Sequence, residues 1–202
     1  MAVLSLLLLS TGANSLFAAI SPPALDLKPA VATPAPGMFL IARRGFLDPN
    51  FSQTVVYLMQ HDREVSFGLV VNRPGEVTLS STLPYVAETP FASSPVYRGG
   101  PMDPDMLVML IRNFPGSPRM RQVTDTIQAS VSLQVLDELL VEQKPPDDVR
   151  FYPGYAGWSP GRLEQELEHH YWHLVKGDPA AVFGPEAASL WETLINTLEP
   201  PD

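Results

Sequence analysis

The chain has 202 residues, 45% of them hydrophobic and 17% charged, which suits one substantial core, or two small subdomains sharing it, and not a disordered segment. Its formal net charge of −9 opposes a phosphate backbone and removes the usual drive for direct nucleic-acid binding. With no cysteine, the chain excludes disulfides, thiolate nucleophiles, iron–sulfur clusters and cysteine zinc sites.

Residues 1–20 stand apart from the rest. Val3 to Leu9 is almost wholly apolar, and Ser15-Leu16-Phe17-Ala18-Ala19 ends in small residues, as a signal-peptidase site does. No Lys or Arg precedes Lys28, so the positive leading region of an export signal is missing. A cleaved signal ending near residue 19 and a misassigned start codon both remain open. Thr11, Gly12 and Asn14 interrupt the run too early for a membrane span, and no span is expected after residue 20. Residues 21–36 hold five prolines and read as an extended linker. The folded domain is expected over residues 37–202.

Short runs rich in branched and aromatic residues predict strands at Met38–Ala42, Thr54–Gln60 and Phe67–Asn72, separated by Gly, Pro, Asp and Asn. Val55-Val56-Tyr57-Leu58 runs without interruption, as a strand covered on both faces would. The short connection around Glu64–Ser66 predicts antiparallel pairing. Further strands are expected at Met106–Arg112, Gln122–Gln128 and Arg150–Tyr155. Three apolar stripes predict helices: Leu133, Leu136, Leu139 and Leu140 after Ser132; Leu163, Leu167, Tyr171 and Leu174; and Leu190, Trp191, Leu194, Ile195 and Leu198. Strands early and helices late, without βαβ alternation, indicate an α+β domain.

The densest motif is Gly154-Tyr155-Ala156-Gly157-Trp158-Ser159-Pro160-Gly161-Arg162-Leu163-Glu164. It reads as a glycine-dependent loop leading into the second helix, with Ser159 as N-cap, Pro160 as first helical residue, and Glu164 and Glu166 favoured by the helix dipole. This segment resembles the signature of the YqgE/AlgH family of bacterial proteins. So do Gly37-Met38-Phe39-Leu40-Ile41-Ala42, Leu47-Asp48-Pro49-Asn50-Phe51 with Thr54-Val55-Val56, Gly68-Leu69-Val70-Val71-Asn72-Arg73-Pro74, and the Gly99-Gly100-Pro101 turn. The order and spacing of these segments match from Gly37 to the last helix. The resemblance implies an α+β fold with a mostly antiparallel, bent or pseudo-barrel sheet and flanking helices. It also implies a cytoplasmic location and a role in regulating transcription, whereas an active signal at residues 1–19 would mean export. It carries no agreed catalytic residues and no cofactor.

Several residues invite a chemical reading. Asp48 and Asn50 could face a ligand, although Asp-Pro-Asn-Phe equally forms an Asx-type turn anchored by Phe51. Asn72 and Arg73 could hold an anion, or satisfy carbonyls at a strand end. Arg98-Gly99-Gly100-Pro101 lacks the Lys-Ser/Thr of a phosphate loop and reads as a tight turn. On one continuous helix, Glu166, His169 and His173 would share a face and could bind Zn²⁺, with His170 beside them. The pattern is not His-Glu-x-x-His, and the resemblance implies that the family usually has asparagine at the position of His170 and an apolar residue at that of His173, so such a site would be private to this chain. His61 and Asp62 lack a Gly-x-Ser-x-Gly nucleophile, so His61 reads as structural. Trp158 and Trp172 read as core aromatics with tied indole N–H groups. Arg43-Arg44 and Arg119 with Arg121 read as solvated turns.

The expectation is a non-enzymatic binding or regulatory module that meets a protein or small ligand through Asp48, Asn50, Asn72, Arg73, Gly154, Gly157 and Trp158. The alternative is a metal-dependent hydrolase using the Glu/His cluster.

Overall fold

The computed structural model describes residues 33–200. The candidate signal at residues 1–20 and the linker up to residue 32 lie outside the described residues, and residues 33–35 carry no helix or strand.

β1 (Met38–Ala42), β2 (Val55–His61) and β3 (Ser66–Val70) form an antiparallel meander. Its β2–β3 turn is closed by Asp62, whose Oδ1 accepts from the amides of Glu64 and Val65 at 2.9 and 3.0 Å. β4 (Pro74–Thr78) leads into the short α1 (Leu79–Thr82) and then β5 (Pro95–Tyr97). Next come β6 (Met102–Arg112), β7 (Arg121–Gln122), β8 (Ile127–Ser130) and α2 (Gln134–Val141). The chain closes with β9 (Val149–Trp158), α3 (Arg162–Glu168), β10 (Trp172–Lys176), α4 (Pro179–Phe183) and α5 (Leu190–Leu198). The sheet order is β10-β1-β2-β3-β9-β6-β8-β7, with β4 and β5 as a side pair. One pairing is parallel, between β5 and β9; the others are antiparallel. The fold is α+β, a bent antiparallel sheet with helices on both faces.

Period-two alternation divides the apolar residues between the faces. Val55 and Tyr57 enter one core with α4 and α5, where Phe183, Leu194 and Ile195 are buried. Val56 and Leu58 enter a second core with Trp158, Leu163 and Trp172. Farther along that second face, Met109 and Ile111 of β6 pack under α2 with Leu79 and Phe91. The uninterrupted run in β2 is therefore covered on both sides, and each such side chain contributes about 1.5–3 kcal/mol relative to exposure.

Four expectations are corrected. Gln122–Gln128 is not one strand but the hairpin β7–β8, folded at Val123–Thr126 by bonds from the amides of Val123 and Thr124 to the Ile127 carbonyl. Gly154, Gly157 and Trp158 lie inside strand β9, not in a loop. There Gly154 has φ +72, and a Cβ on it would lie 2.6 Å from the Gly100 carbonyl, while one on Gly99 would collide with the carbonyl of Gly154. The glycines let two backbones touch where β9 crosses the 99–100 turn. Ser159 is not an N-cap. Its carbonyl accepts from Arg162 N at 3.0 Å, and Gly161 (φ 75, ψ −6) takes the third position of a type II turn that precedes α3.

The fourth correction is the largest. The second helix ends at Glu168, and Trp172–Lys176 is a strand paired with β1. His170 sits at φ +57, with its amide bonded to the Leu167 carbonyl and that of Tyr171 to the Glu166 carbonyl, a Schellman ending. Past that stop, Trp172 and Val175 suit a pleated surface, and the edge of β1 supplies the ladder. Among the described residues no helix is long and apolar enough to cross a membrane.

Replacing His170 by glycine should raise stability by about 1 kcal/mol in chemical denaturation, because an L side chain is strained in the left-handed region. Destabilisation would mean the imidazole makes a contact worth more than that strain.

Asp148 gives a pH dependence. Burial alone would raise its carboxyl, but hydrogen bonds and charge from Lys144 and Arg112 outweigh that and hold it below its ordinary 3.8. The Arg112 contacts are 2.8 and 2.6 Å and the Lys144 contact 2.7 Å. The resulting stability is fully present above pH 3.8 and is lost as pH falls through the depressed value. Asp148→Asn should flatten the acid limb of the stability–pH curve; an unchanged limb would assign acid unfolding elsewhere.

Candidate functional site

The site grows from a loop without a ladder of its own. Between β1 and β2 the chain turns at Arg43–Phe46 and again at Asp48, whose Oδ1 accepts from the amides of Asn50 and Phe51 at 2.8 and 3.2 Å. From beneath, Arg73 donates to the carbonyls of Asn50 and Ser52 at 2.7 and 2.9 Å. Asn72 accepts from Val55 N at 2.8 Å and donates to the Gln53 carbonyl at 2.9 Å. Burial, reinforced by the charge of Arg98, lowers the Arg73 guanidinium from its ordinary value. Asn72 and Arg73 thus act as supports, supplying to residues 50–55 the hydrogen bonds that a neighbouring strand would otherwise give.

The supported loop drives two aromatic rings against β9 and β10. Phe51 stacks on Trp158 with centroids 6.1 Å apart and meets Trp172 edge-on at 5.7 Å. Phe46 lies flat on Tyr171 at 5.0 Å and 6°. Trp158 and Trp172 touch each other at 6.3 Å. Both indoles point their N–H at one oxygen, Glu166 Oε2, at 2.8 and 2.9 Å, while Arg162 Nε holds the other oxygen at 2.9 Å. Glu166 therefore accepts three hydrogen bonds beneath an aromatic cluster.

A cleft of about 670 Å³ opens between this loop and the α3–β10 turn. Arg43, Arg44, Asp48, Arg162, His169 and His170 supply polar edges; Phe46, Phe51 and Tyr171 supply apolar surface; Glu166 and Glu199 complete it. That volume is in the range of small-ligand sites. Of the expected surface residues, Asp48 reaches the cleft, whereas Asn50 and Arg73 meet in the supporting loop bonds, Asn72 is buried, and Gly154, Gly157 and Trp158 belong to the sheet. Sequence reads Arg43-Arg44 as a solvated turn and Arg162 only as part of the entry to the second helix, whereas all three line the cleft. The signal is the β1–β10 pairing, in which the Tyr171 carbonyl accepts from Arg43 N at 3.0 Å.

The shared helical face expected for Glu166, His169 and His173 does not form. His169 caps the end of α3 and stacks on Tyr171 at 5.8 Å. His173 lies on β10 opposite Ile41, with Nε2 2.7 Å from Glu199 Oε1. Among the described residues no group of three or more His, Asp and Glu is placed to hold a metal ion.

A different trio does assemble. The β2–β3 register sets His61 opposite Ser66, with Nδ1 2.8 Å from Oγ, and Glu164 Oε1 lies 3.5 Å from His61 Nε2. Ser66 is only 4% exposed and pairs across the sheet with Trp158. The trio ties the hairpin to α3. A second, apolar groove of about 550 Å³ lies elsewhere, lined by Met59, Phe67, Met106, Met120 and Tyr155 among others.

Removing the Glu166 carboxylate should be costly, because two indole N–H groups on nearly buried tryptophans lose their acceptor. Glu166→Ala is expected to cost about 2–4 kcal/mol in denaturant melts, with a change in tryptophan near-UV dichroism, and Glu166→Gln markedly less. Equal losses in both variants would mean that charge, not the shared acceptor, is what matters.

A family model described as AlgH-like matches residues 39–201. A UPF0301 protein of Streptomyces avermitilis is 35% identical over 166 residues, covering 79% of this chain and 84% of that relative. One from Vibrio vulnificus is 32% identical over 168 residues, covering 79% and 89%. The solution structure of the AlgH protein from Pseudomonas aeruginosa matches with a TM-score of 0.69 at 28% identity, over 87% of this chain and 94% of that one. A crystal structure of a Corynebacterium diphtheriae protein matches in fold, with a TM-score of 0.68 at 22% identity over 84% and 90% of the two chains. With the family model spanning nearly the whole described domain, the chain belongs to the AlgH-like (YqgE/AlgH, UPF0301) family.

Proposed function

We propose that this protein is a non-enzymatic binding module whose contact site is the cleft between the 43–51 loop and the α3–β10 turn. The observation that carries this reading is the way the cleft is built. Its walls are held by an aromatic cluster and by side chain–backbone bonds, and its carboxylates already have donors. A preorganised wall favours binding because little ordering remains to be offset. The one serine–histidine contact described above is buried away from the cleft. A regulatory role, implied by the family resemblance, would then run through a protein or small-ligand contact. DNA is disfavoured by the net charge of −9.

Amide chemical-shift mapping against a small-molecule library tests the location. Saturable shifts should concentrate at residues 43–51 and 162–171, and Arg73→Ala should weaken them by loosening the loop while the rest of the spectrum stays folded. Shifts confined to other surfaces, or turnover of any library member, would overturn the reading. Mass spectrometry of the native N-terminus addresses location: an intact start supports the cytoplasmic placement that the family implies, and loss of residues 1–19 assigns export.

A further inference from the structure

We infer that the cleft takes a small organic anion, a carboxylate or phosphate ester, with its apolar body lying on Phe46 and Tyr171. This rests on the cleft being the binding site. The first ground is an underbonded guanidinium. Arg43 is 38% exposed at its side chain, its Nε is shut from solvent without a hydrogen-bond acceptor, and its nearest carboxylate, Glu199, stands at 3.8 Å. Its one other polar contact among the described residues is Nη2 to His173 Nδ1 at 3.5 Å. A guanidinium offers five donors in a fixed fork, so most of this one's capacity is uncommitted.

The second ground is that the acidic neighbours use only part of that capacity: Glu199 stands 3.8 and 3.9 Å from the Nε atoms of Arg43 and Arg44, beyond hydrogen-bond distance. Glu166 serves two indoles and Arg162. Asp48 is turned onto its own backbone. Glu199 gives one oxygen to His173 and the other to the Arg44 amide at 3.3 Å. Across the cleft, Arg162 commits only Nε, and its side chain is 58% exposed. Arg44 is steadied by Asn196 and lies over the Trp191 ring at 5.9 Å, which sets its direction before any ligand arrives. Three of the 13 lysines and arginines of an acidic chain thus converge on one concavity with donors to spare. Bidentate arginine contacts to carboxylate or phosphate are the strong kind of hydrogen bond. The long-range repulsion from the remaining charge is screened within about 8–10 Å at physiological salt, so the local array decides.

The third ground is the apolar surface. Phe46 and Tyr171 form a flat stacked pair, and Tyr171 is 39% exposed, so one face of the cleft suits a ring or short hydrocarbon. A bare inorganic anion would leave that surface unused.

The probes are phenyl phosphate, benzoate, inorganic phosphate and benzyl alcohol, each titrated against the full chain by amide chemical-shift mapping. Phenyl phosphate or benzoate should bind at the cleft at least about tenfold more tightly than either inorganic phosphate or benzyl alcohol. Arg43→Gln and Arg162→Gln, both at partly exposed positions, should each weaken binding about tenfold with an unchanged melting temperature, a tenfold loss being about 1.4 kcal/mol. Arg43→Lys keeps the charge and loses the fork, and should remain weakened. Benzyl alcohol binding the cleft as well as the anions, or binding unaffected by the arginine variants, would overturn the anion inference and leave the binding site standing. Failure of all four probes and of the wider library to shift cleft residues would overturn both.

Discussion

One carboxylate oxygen that accepts from two indoles holds the cleft side of this protein together. Trp158 ends β9, Trp172 begins β10, and Glu166 sits on the helix between them, so the contact fixes three elements at one point. Burying either indole without an acceptor would cost about as much as an unmade hydrogen bond to a charged group. The arginine one helical turn earlier offsets the charge. Everything around the cleft inherits this geometry: the place where α3 stops, the turn through His170, and the aromatic rings on which the 43–51 loop rests.

The cleft carboxylates show the same engagement. Glu166 gives Oε2 to both indoles and Oε1 to the more exposed Arg162. Asp48, Asn72 and Arg73 follow the same logic, each turned onto backbone groups of a loop that lacks a ladder. What remains uncommitted around the cleft is arginine donors and aromatic surface, and the binding proposal rests on these.

Much of the sheet was legible because its signals are local. Met38–Ala42 forms the expected strand, the unbroken Val55–Leu58 run is covered on both faces, and the last apolar stripe is a helix. Other parts were hidden by competing signals. Leu163, Leu167, Tyr171 and Leu174 satisfy helical spacing, yet the stretch breaks at a left-handed His170 and pairs with β1, a long-range event that periodicity cannot report. Glycines at 154 and 157 read as a loop because their need comes from a distant backbone. β4 carries Pro74 and Gly75 and little buried surface, and β5 opens on Pro95 and is only three residues long, so neither presents a pattern. The meeting of His61 with Ser66 could have been found by counting back from the hairpin turn, while its burial could not. The cleft arginines needed the β1–β10 pairing before they became neighbours at all.

The two-sided cover of β2 also has a kinetic meaning. Its ladder is flanked by β1 and β3, and its apolar side chains are divided between two cores on opposite faces of the sheet, with Trp191 packed against both. Amide protons of Val56 and Leu58 can therefore reach solvent only when both cores part, so their exchange reports global opening. The two-residue β7 at the sheet's margin is exposed and paired on one side, and it can fray alone. Rigidity is thus graded across the molecule, greatest in the strand directly behind the 43–51 loop and least at the far edge.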